Sequence, residues 1–167
     1  MLIRNAQPDD LDEIAALYVH NHRETYRGLL SEVYLDALTP AYAREKWAGY
    51  LTGGKKLWCA YEDGVFLGFV AGAEDAELPG VWYLDSLHVA PAARGRGVGS
   101  ALLRTCGAYA HDAGCRGMSI CIVRGNERAR RLYEKLGAVH CKYFEDDFCG
   151  TVSQSEKLLW QDLRVFR

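Results

Sequence analysis

Three glycines at alternate positions stand where a helix must begin. Residues 89–103 read V-A-P-A-A-R-G-R-G-V-G-S-A-L-L, and an amphipathic helical pattern continues to Ala113. A helix start leaves backbone N–H groups without intrahelical partners, and the helix dipole makes that end attractive to anions. Glycine also removes the Cβ atoms that would keep phosphates away from the main chain. The run R-G-R-G-V-G therefore predicts a loop that holds a pyrophosphate with main-chain donors, while Arg94 and Arg96 add positive charge.

The glycine spacing alone also fits a flexible turn between a strand and a helix. The glycine run must also be distinguished from two familiar nucleotide-binding loops. The chain has no G-x-x-x-x-G-K-[ST] motif, and Gly95-x-Gly97-x-Gly99 lacks the last glycine of G-x-G-x-x-G. No ribose-binding acidic residue follows the helix start at a suitable distance. These features disfavour a nucleotide kinase and a Rossmann domain, and they leave the flexible turn as the alternative.

The hydrophobic patterns on either side of this loop predict an α+β fold. Strand patterns occur at 2–5, around Asp63-Gly64 as a hairpin, at 81–89, at 118–123, and at 139–144 with 152–160 as a terminal hairpin. Helical patterns occur at 8–22, after Ser31, at 40–51, at 98–113 and from Asn126 to 136. Because 49% of the 167 residues are hydrophobic, the chain can bury a core, and we expect one domain over residues 1–167.

Charge, cysteine and histidine content narrow the classes of partner. The net charge of -2 offers no general attraction to nucleic acid or to an anionic membrane, and no apolar run approaches the ~20 residues that span a bilayer. The six cysteines form no C-x-x-C pair, so we expect free thiols in a reducing cytoplasm. His20 and His22 face different directions on a helix, and we expect no metal site.

Two central motifs resemble those of the GCN5-related N-acetyltransferases, the GNAT family. Its pyrophosphate loop follows the pattern Arg/Gln-x-x-Gly-x-Gly/Ala after a strand, which here is Arg94-x-x-Gly97-x-Gly99. Its next strand and helix carry an Asn and a Tyr, found here as Asn126 and Tyr133 in I-V-R-G-N-E-R-A-R-R-L-Y. The stretches Y-R-G-L-L-S-E-V-Y-L-D-A-L and L-L-W-Q-D-L are also similar to segments of many members, so the resemblance covers nearly the whole chain.

The resemblance implies a GNAT fold and acetyl-CoA as co-substrate. In such a fold a mixed, mostly antiparallel sheet of about six to seven strands is flanked by about four to five helices. The central strands separate through a bulge and form the acetyl-CoA cleft. Backbone groups near Leu87, His88 and Val89 are then expected to pair with the pantetheine arm. The pyrophosphate is expected against Arg94, Gly95, Arg96, Gly97, Val98, Gly99 and Ser100.

The resemblance also assigns roles to Tyr133 and Asn126. Tyr133 is expected to protonate the departing CoA thiolate, and Asn126 to contact the cofactor arm. Each residue also has a structural interpretation, because Asn is a good helix N-cap and Tyr133 could fill an apolar helix stripe. The two residues are seven positions apart, about two helical turns, so both can face one cleft.

The residue that accepts the amine proton departs from the pattern of the family. Family members often carry a Glu four residues before the leucine of L-H-V, and here that position is Tyr83. Asp85 lies on the same strand face and is the nearest replacement, acting through water, unless its carboxylate makes only a structural hydrogen bond. Candidate amine-binding residues are Glu24, Tyr26, Asp146 and Asp147.

The sequence thus predicts an enzyme that transfers acetyl directly to a primary amine of a small molecule or protein. The alternative is a regulatory or interaction module that binds CoA with little or no turnover. A nucleic-acid-binding domain is disfavoured by the acidic balance. A second copy of the chain, forming a homodimer, is a candidate partner.

Overall fold

A computed structural model describes residues 1–167 and contains one seven-stranded sheet. The strands are β1 (Leu2–Asn5), β2 (Lys56–Glu62), β3 (Val65–Glu74), β4 (Val81–Val89), β5 (Gly117–Val123), β6 (Val139–Phe148) and β7 (Thr151–Trp160). Their order is β1-β2-β3-β4-β5-β7-β6, and every neighbouring pair is antiparallel except β4 with β5. The predicted mixed, mostly antiparallel sheet is therefore confirmed.

Five helices flank the sheet: α1 (Leu11–Tyr26), α2 (Glu32–Ala37), α3 (Pro40–Ala48), α4 (Val98–Asp112) and α5 (Glu127–Lys135). Ser31 and Asn126 accept hydrogen bonds from the backbone of the helices that they precede, as N-caps do. The first helix runs to Tyr26 rather than to 22, and the break follows at Gly28, where φ is +80°. The third helix ends at 48 rather than 51, and β6 extends to 148 rather than 144.

Each face of the sheet is covered by a different group of helices. On one face, α1, α2 and α3 pack over a core that includes the fully buried Trp47 and Phe69. On the other face, α4 and α5 pack over a core that includes Leu102 and Trp160. Successive residues of β2 alternate between the two cores, as the period of a strand requires. Burial on both faces explains why β2 and β3 read as continuous apolar runs.

The sheet opens between its two parallel strands. Pairing between β4 and β5 stops at Leu84 and Ile120, although β4 continues to Val89 and β5 to Val123. Against β3, the register shifts so that Ala71 faces Ser86 and Gly72 faces Leu84. This shift leaves Asp85 as the extra residue of a β-bulge, which bends the strand locally. The predicted separation of the central strands is therefore present, with the bulge at Asp85.

Two further features of the chain concern its helices and its thiols. None of the helices is both long and apolar enough to cross a membrane. All of the cysteines are free thiols, and Cys59 and Cys106 are fully buried in the two cores. Burial raises the pKa of both of these thiols to about 12, so they pack as small neutral side chains.

Candidate active site

A cleft of about 1040 Å³ lies where β4 and β5 separate. Its walls come from α1, α2, α3, the second half of β4, the end of β5, the start of α4, α5 and the tip of β6. The cleft brings together most of the residues singled out in the sequence. They are Glu24, Tyr26, Asp85, Leu87, His88, Val89, Arg94, Gly95, Gly97, Val98, Gly99, Ser100, Asn126, Tyr133 and Asp146.

Two of the predicted site residues lie outside the cleft. Arg96 extends away from the loop and pairs with Glu62 of β2. Asp147 lies near the end of β6, and its carboxylate accepts a hydrogen bond of 2.6 Å from the Gly150 N–H in the turn to β7. Both side chains are therefore engaged by neighbouring surface groups rather than directed at the cleft.

The glycine loop presents an uninterrupted run of backbone donors. The N–H of Arg94 bonds to Pro91 and that of Ala101 bonds to Gly97, but no N–H from 95 to 100 has a protein acceptor. Gly95 and Gly97 adopt left-handed backbone conformations, with φ of +78° and +82°. Successive N–H groups in such a turn converge on one point and form an anion-binding concavity. The loop can therefore hold a phosphate group without any side-chain ligand.

The open edge of β4 supplies a second set of donors. The N–H of Ala90 donates to the Leu67 carbonyl of β3 at 2.8 Å. Because backbone groups alternate along a strand, the N–H groups of Val89 and Leu87 point to the opposite edge. β5 has already separated there, so these donors face the cleft. A ligand with amide groups could pair with this edge as an additional strand would.

Tyr133 lies in the wall of the cleft and also in the core beneath it. Its side chain is largely buried, and its ring meets Trp160 edge-on at 5.7 Å between centroids. The hydroxyl makes no hydrogen bond with another protein group, and burial raises its pKa. Tyr133 therefore stays protonated at neutral pH and is free to donate its proton to a ligand. The packing and catalytic interpretations of this residue are compatible.

Asn126 and Tyr26 meet at the same end of the cleft. The Asn126 side chain accepts a hydrogen bond of 3.4 Å from the Ala129 N–H, so it caps α5. Burial raises the pKa of Tyr26, and the nearby Asn126 side chain partly offsets that shift. The Tyr26 ring packs against His22 at 5.1 Å between centroids. The cap residue thus also faces the residues that line the cleft.

Asp85 projects from the bulge into the cleft, but its carboxylate has partners. Tyr50 donates its hydroxyl proton to one oxygen, and the Lys46 ammonium lies 3.7 Å from the other. The carboxylate keeps 19% of its side-chain surface exposed. Burial and the nearby carboxylate raise the pKa of Tyr50, so this phenol remains a donor. The sequence did not indicate Lys46 or Tyr50, because α3 reaches this strand only through tertiary packing.

Glu24 and Arg94, for which the sequence predicts different roles, form an ion pair. The distance between Arg94 Nη2 and Glu24 Oε2 is 2.5 Å, and this hydrogen bond lowers the pKa of Glu24. The same guanidinium donates to the Asn21 side chain. The end of α1 therefore contacts the start of the glycine loop directly.

The two histidines of the cleft are neutral because they are buried. Burial lowers the pKa of His22 to about 4 and that of His88 well below its usual value. Nδ1 of His22 lies 3.1 Å from the Tyr18 carbonyl, which can only accept, so this nitrogen carries the proton. No group of three or more His, Cys, Asp or Glu side chains is arranged to hold a metal ion.

The far end of the cleft is aromatic and acidic. The rings of Tyr34 and Phe148 meet edge-on at 5.0 Å, and Ser31 donates a hydrogen bond of 3.1 Å to the Phe148 carbonyl. Asp146 is exposed beside them and makes no ion pair. Cation-binding sites in proteins often combine aromatic faces with a carboxylate. Tyr34 and Phe148 could not be found from the sequence, since they carry no motif and meet only through folding.

Comparisons with known proteins agree on one family. The family model described as "Acetyltransferase (GNAT) family" matches residues 11–138. An uncharacterized N-acetyltransferase of Archaeoglobus fulgidus is 34% identical over 143 residues, covering 80% of this chain and 89% of that protein. A ribosomal-protein-alanine N-acetyltransferase from Brucella melitensis has a TM-score of 0.80 at 22% identity, covering 96% of this chain and 99% of that one. The PaiA N-acetyltransferase of Thermoplasma acidophilum, solved with coenzyme A, has a TM-score of 0.73 at 20% identity, covering 93% and 96%.

Proposed function

The chain belongs to the GNAT family of acetyltransferases, and on this premise we propose that residues 1–167 act as one domain that transfers acetyl directly to a primary amine. It is an acetyl-CoA-dependent N-acetyltransferase, with acetyl-CoA as co-substrate. The observation that carries the proposal is the run of unpartnered N–H groups from 95 to 100 at the start of α4. The free thiols fit the further proposal that the protein works in a reducing cytoplasm.

We propose that this half of the cleft binds acetyl-CoA mainly through the main chain. The N–H groups of 95–100 receive the pyrophosphate, and those of Leu87 and Val89 receive the pantetheine arm. Arg94 and Asn126 line the same cleft and supply polar side chains. A thioester carbonyl near the strand donors would be polarised, and the same donors would stabilise the oxyanion that forms on attack.

Tyr133 is the proposed general acid. The amine nitrogen forms a bond with the thioester carbon, and the carbon–sulfur bond then breaks, with the electron pair leaving on sulfur. The Tyr133 hydroxyl gives its proton to this thiolate as the bond breaks. The supporting observations are a protonated phenol, its place in the cleft wall, and the lack of a protein partner.

Asp85 is the proposed acceptor of the amine proton, through a water molecule. A primary amine is protonated at neutral pH and must lose one proton before attack and a second one during it. Asp85 is the only carboxylate of β4 that lines the cleft, and it remains partly exposed. Its contacts with Tyr50 and Lys46 would hold the carboxylate in place.

The acceptor amine is proposed to enter between α1 and the tip of β6. Its ammonium form would be attracted by Asp146 and by the faces of Tyr26 and Tyr34. Glu24 can contribute through its Oε1, since Arg94 contacts the other carboxylate oxygen. Asp147 caps a turn instead, so we expect it to affect the acceptor only through the shape of the β6–β7 hairpin. The acceptor is a small molecule or a protein amine, and an assay with both kinds of amine separates the two.

Two measurements on the purified protein test this proposal. Calorimetry with CoA should give saturable binding, and a panel of small amines and peptides with free amino groups should release CoA thiol from acetyl-CoA in a time-dependent way. Binding without thiol release for any acceptor would favour the alternative, a regulatory module that binds CoA with little or no turnover. The contacts of Asp85 would then have a purely structural role. Absence of CoA binding would overturn the proposal. Chromatography with light scattering tests the candidate homodimer separately.

A further inference from the structure

One buried amide of α1 contacts both halves of the cofactor path. Asn21 is 6% exposed, and its Nδ2 group donates to the Val89 carbonyl at 3.1 Å and lies 3.4 Å from Nδ1 of His88. Its Oδ1 accepts a hydrogen bond of 2.9 Å from Arg94 Nη2. One side chain thus joins the end of β4 to the start of the glycine loop.

The chemistry of the partners fixes the orientation of this amide. A guanidinium has donors only, so the atom of Asn21 that faces Arg94 must be the oxygen. The NH₂ group then faces the Val89 carbonyl, which can only accept. His88 consequently accepts at Nδ1 and carries its proton on Nε2. Neither Asp nor a residue with a hydroxyl can satisfy the whole set.

A ligand that spans the cofactor path must bind two sets of donors at once. The donors of β4 at Leu87 and Val89 and the donors of the loop at 95–100 are separated by the turn 90–94. Gly95 and Gly97 give the loop backbone freedom that its own hydrogen bonds do not restrict. Asn21 bonds to the last residue of the strand and to Arg94 at the loop, so it spans this turn.

Resting on the proposed acetyl-CoA site, we propose that Asn21 is a positioning residue that holds the strand edge and the glycine loop in the relative alignment acetyl-CoA requires. It acts through Val89 and Arg94. The donors themselves stay intact when it is removed. The loss should therefore appear in affinity for a ligand that spans both parts, rather than in the chemical step.

The test uses Asn21→Ala and the nearly isosteric Asn21→Asp, which keeps an acceptor for Arg94 but places a carboxylate against the Val89 carbonyl. We expect the KM for acetyl-CoA and the Kd for CoA to rise about tenfold in both variants, with kcat changed less than about twofold. The Kd for ADP, which reaches only the loop, should rise less than about threefold. The control is Tyr61→Phe, which removes hydrogen bonds between β2 and the start of α1, away from the cleft.

The outcomes separate the possibilities. An unchanged KM in both Asn21 variants would overturn the inference. So would equal losses for CoA and ADP, which would place the effect in the loop alone. Tyr61→Phe could also lower the melting temperature as much as the Asn21 variants do and raise KM equally. That result would mean that Asn21 only stabilises the fold. Failure of the wild-type protein to bind CoA would instead overturn the proposed function, on which the inference depends.

Discussion

The two halves of the cleft are built from different parts of the protein. The half that we propose to bind acetyl-CoA, the cofactor half, consists mainly of backbone N–H groups within residues 87–100, which are neighbours in the chain. The half that we propose to bind the amine, the acceptor half, consists of side chains from α1, α3, β4 and β6, including Lys46, Asp85 and Asp146. A main-chain site depends on local conformation, so a short motif specifies it. A side-chain site depends on tertiary packing, so its composition can change while the fold and the cofactor half stay the same.

The largest expected effect is a loss of turnover on substitution of Tyr133, where the two halves meet. Tyr133→Phe should lower kcat on the order of 10²-fold, because a general acid contributes about that much, while the affinity for acetyl-CoA changes little. The substitution keeps the ring and its contact with Trp160. Steady-state thiol release paired with CoA calorimetry measures both quantities.

Thermal melting separates catalysis from packing at this residue. The hydroxyl has no protein partner, so the melting temperature of Tyr133→Phe should match that of the wild type within about 2 °C. Unchanged turnover would rule out the general acid. A large drop in melting temperature would assign the hydroxyl to the core.

A smaller effect is expected in the acceptor half. Asp85→Asn should lower turnover about tenfold at neutral pH, and the loss should shrink as the pH rises, because more of the amine is then already neutral. A pH profile of kcat/KM for wild type and variant measures this. Tyr50→Phe is the matched control, because it removes one partner of the carboxylate but keeps the carboxylate. A loss that is equal at every pH would contradict the proton-acceptor role.

In the cofactor half, substitutions of the last two glycines of the motif should differ in their effects on stability and CoA binding. A Cβ at Gly99 would meet Val89 Cγ2 at 3.5 Å and Leu132 Cδ2 at 3.7 Å, which are ordinary contacts. Gly99→Ala should therefore keep the fold and weaken CoA binding by about threefold to tenfold, since the methyl group narrows the approach to the loop. Gly97→Ala adds strain of about 1–2 kcal/mol, because φ is +82° there.

Calorimetry with CoA and thermal melting distinguish these two variants. Weaker binding with an unchanged melting temperature in Gly99→Ala would support close approach of the ligand to the main chain. Full CoA affinity in both variants would contradict the loop assignment.

The smallest expected effect is on the pH dependence of the unfolding free energy, and it comes from a histidine of the acceptor half. The pKa of His22 falls from 6.5 unfolded to about 4 folded, so the unfolded state binds more protons between these values. Stability from this residue is present above pH 6.5 and is lost as the pH falls toward 4. His22→Gln should flatten the dependence of unfolding free energy on pH in this window, by on the order of 1–2 kcal/mol. His88 contributes a remaining slope in the same direction. Denaturant melts across this pH range measure the slope, and an identical slope in wild type and His22→Gln would contradict the assignment.

Much of the cofactor half was predictable because its signals are local. The glycine run, the strand before it and the cap at Asn126 all fix conformation within a few residues, and the structure has them at the expected places. Arg96 stands between two glycines of positive φ, and its side chain pairs with Glu62 instead of facing the cleft. Nothing in the loop sequence alone reveals that turn of direction.

The acceptor half was predicted less well for a physical reason. Strand periodicity placed Asp85 on the face that lines the cleft, but not its bonds to Lys46 and Tyr50, which depend on how α3 packs on the sheet. Asp147 was expected at the amine and instead caps its own turn, since Asp side chains commonly bond to nearby backbone N–H groups. Asn21 carried no motif, because its partners lie about 70 residues away along the chain.

An amide NMR titration of ¹⁵N-labelled protein with CoA tests the central claim most directly. We expect the N–H signals of residues 95–100, together with those of Leu87 and Val89, to undergo the largest saturable shifts, with loop proton resonances moving downfield as the pyrophosphate accepts their hydrogen bonds. The shifts should saturate at the concentration that calorimetry gives for binding. Saturable binding that leaves these amides unmoved would contradict a main-chain pyrophosphate site.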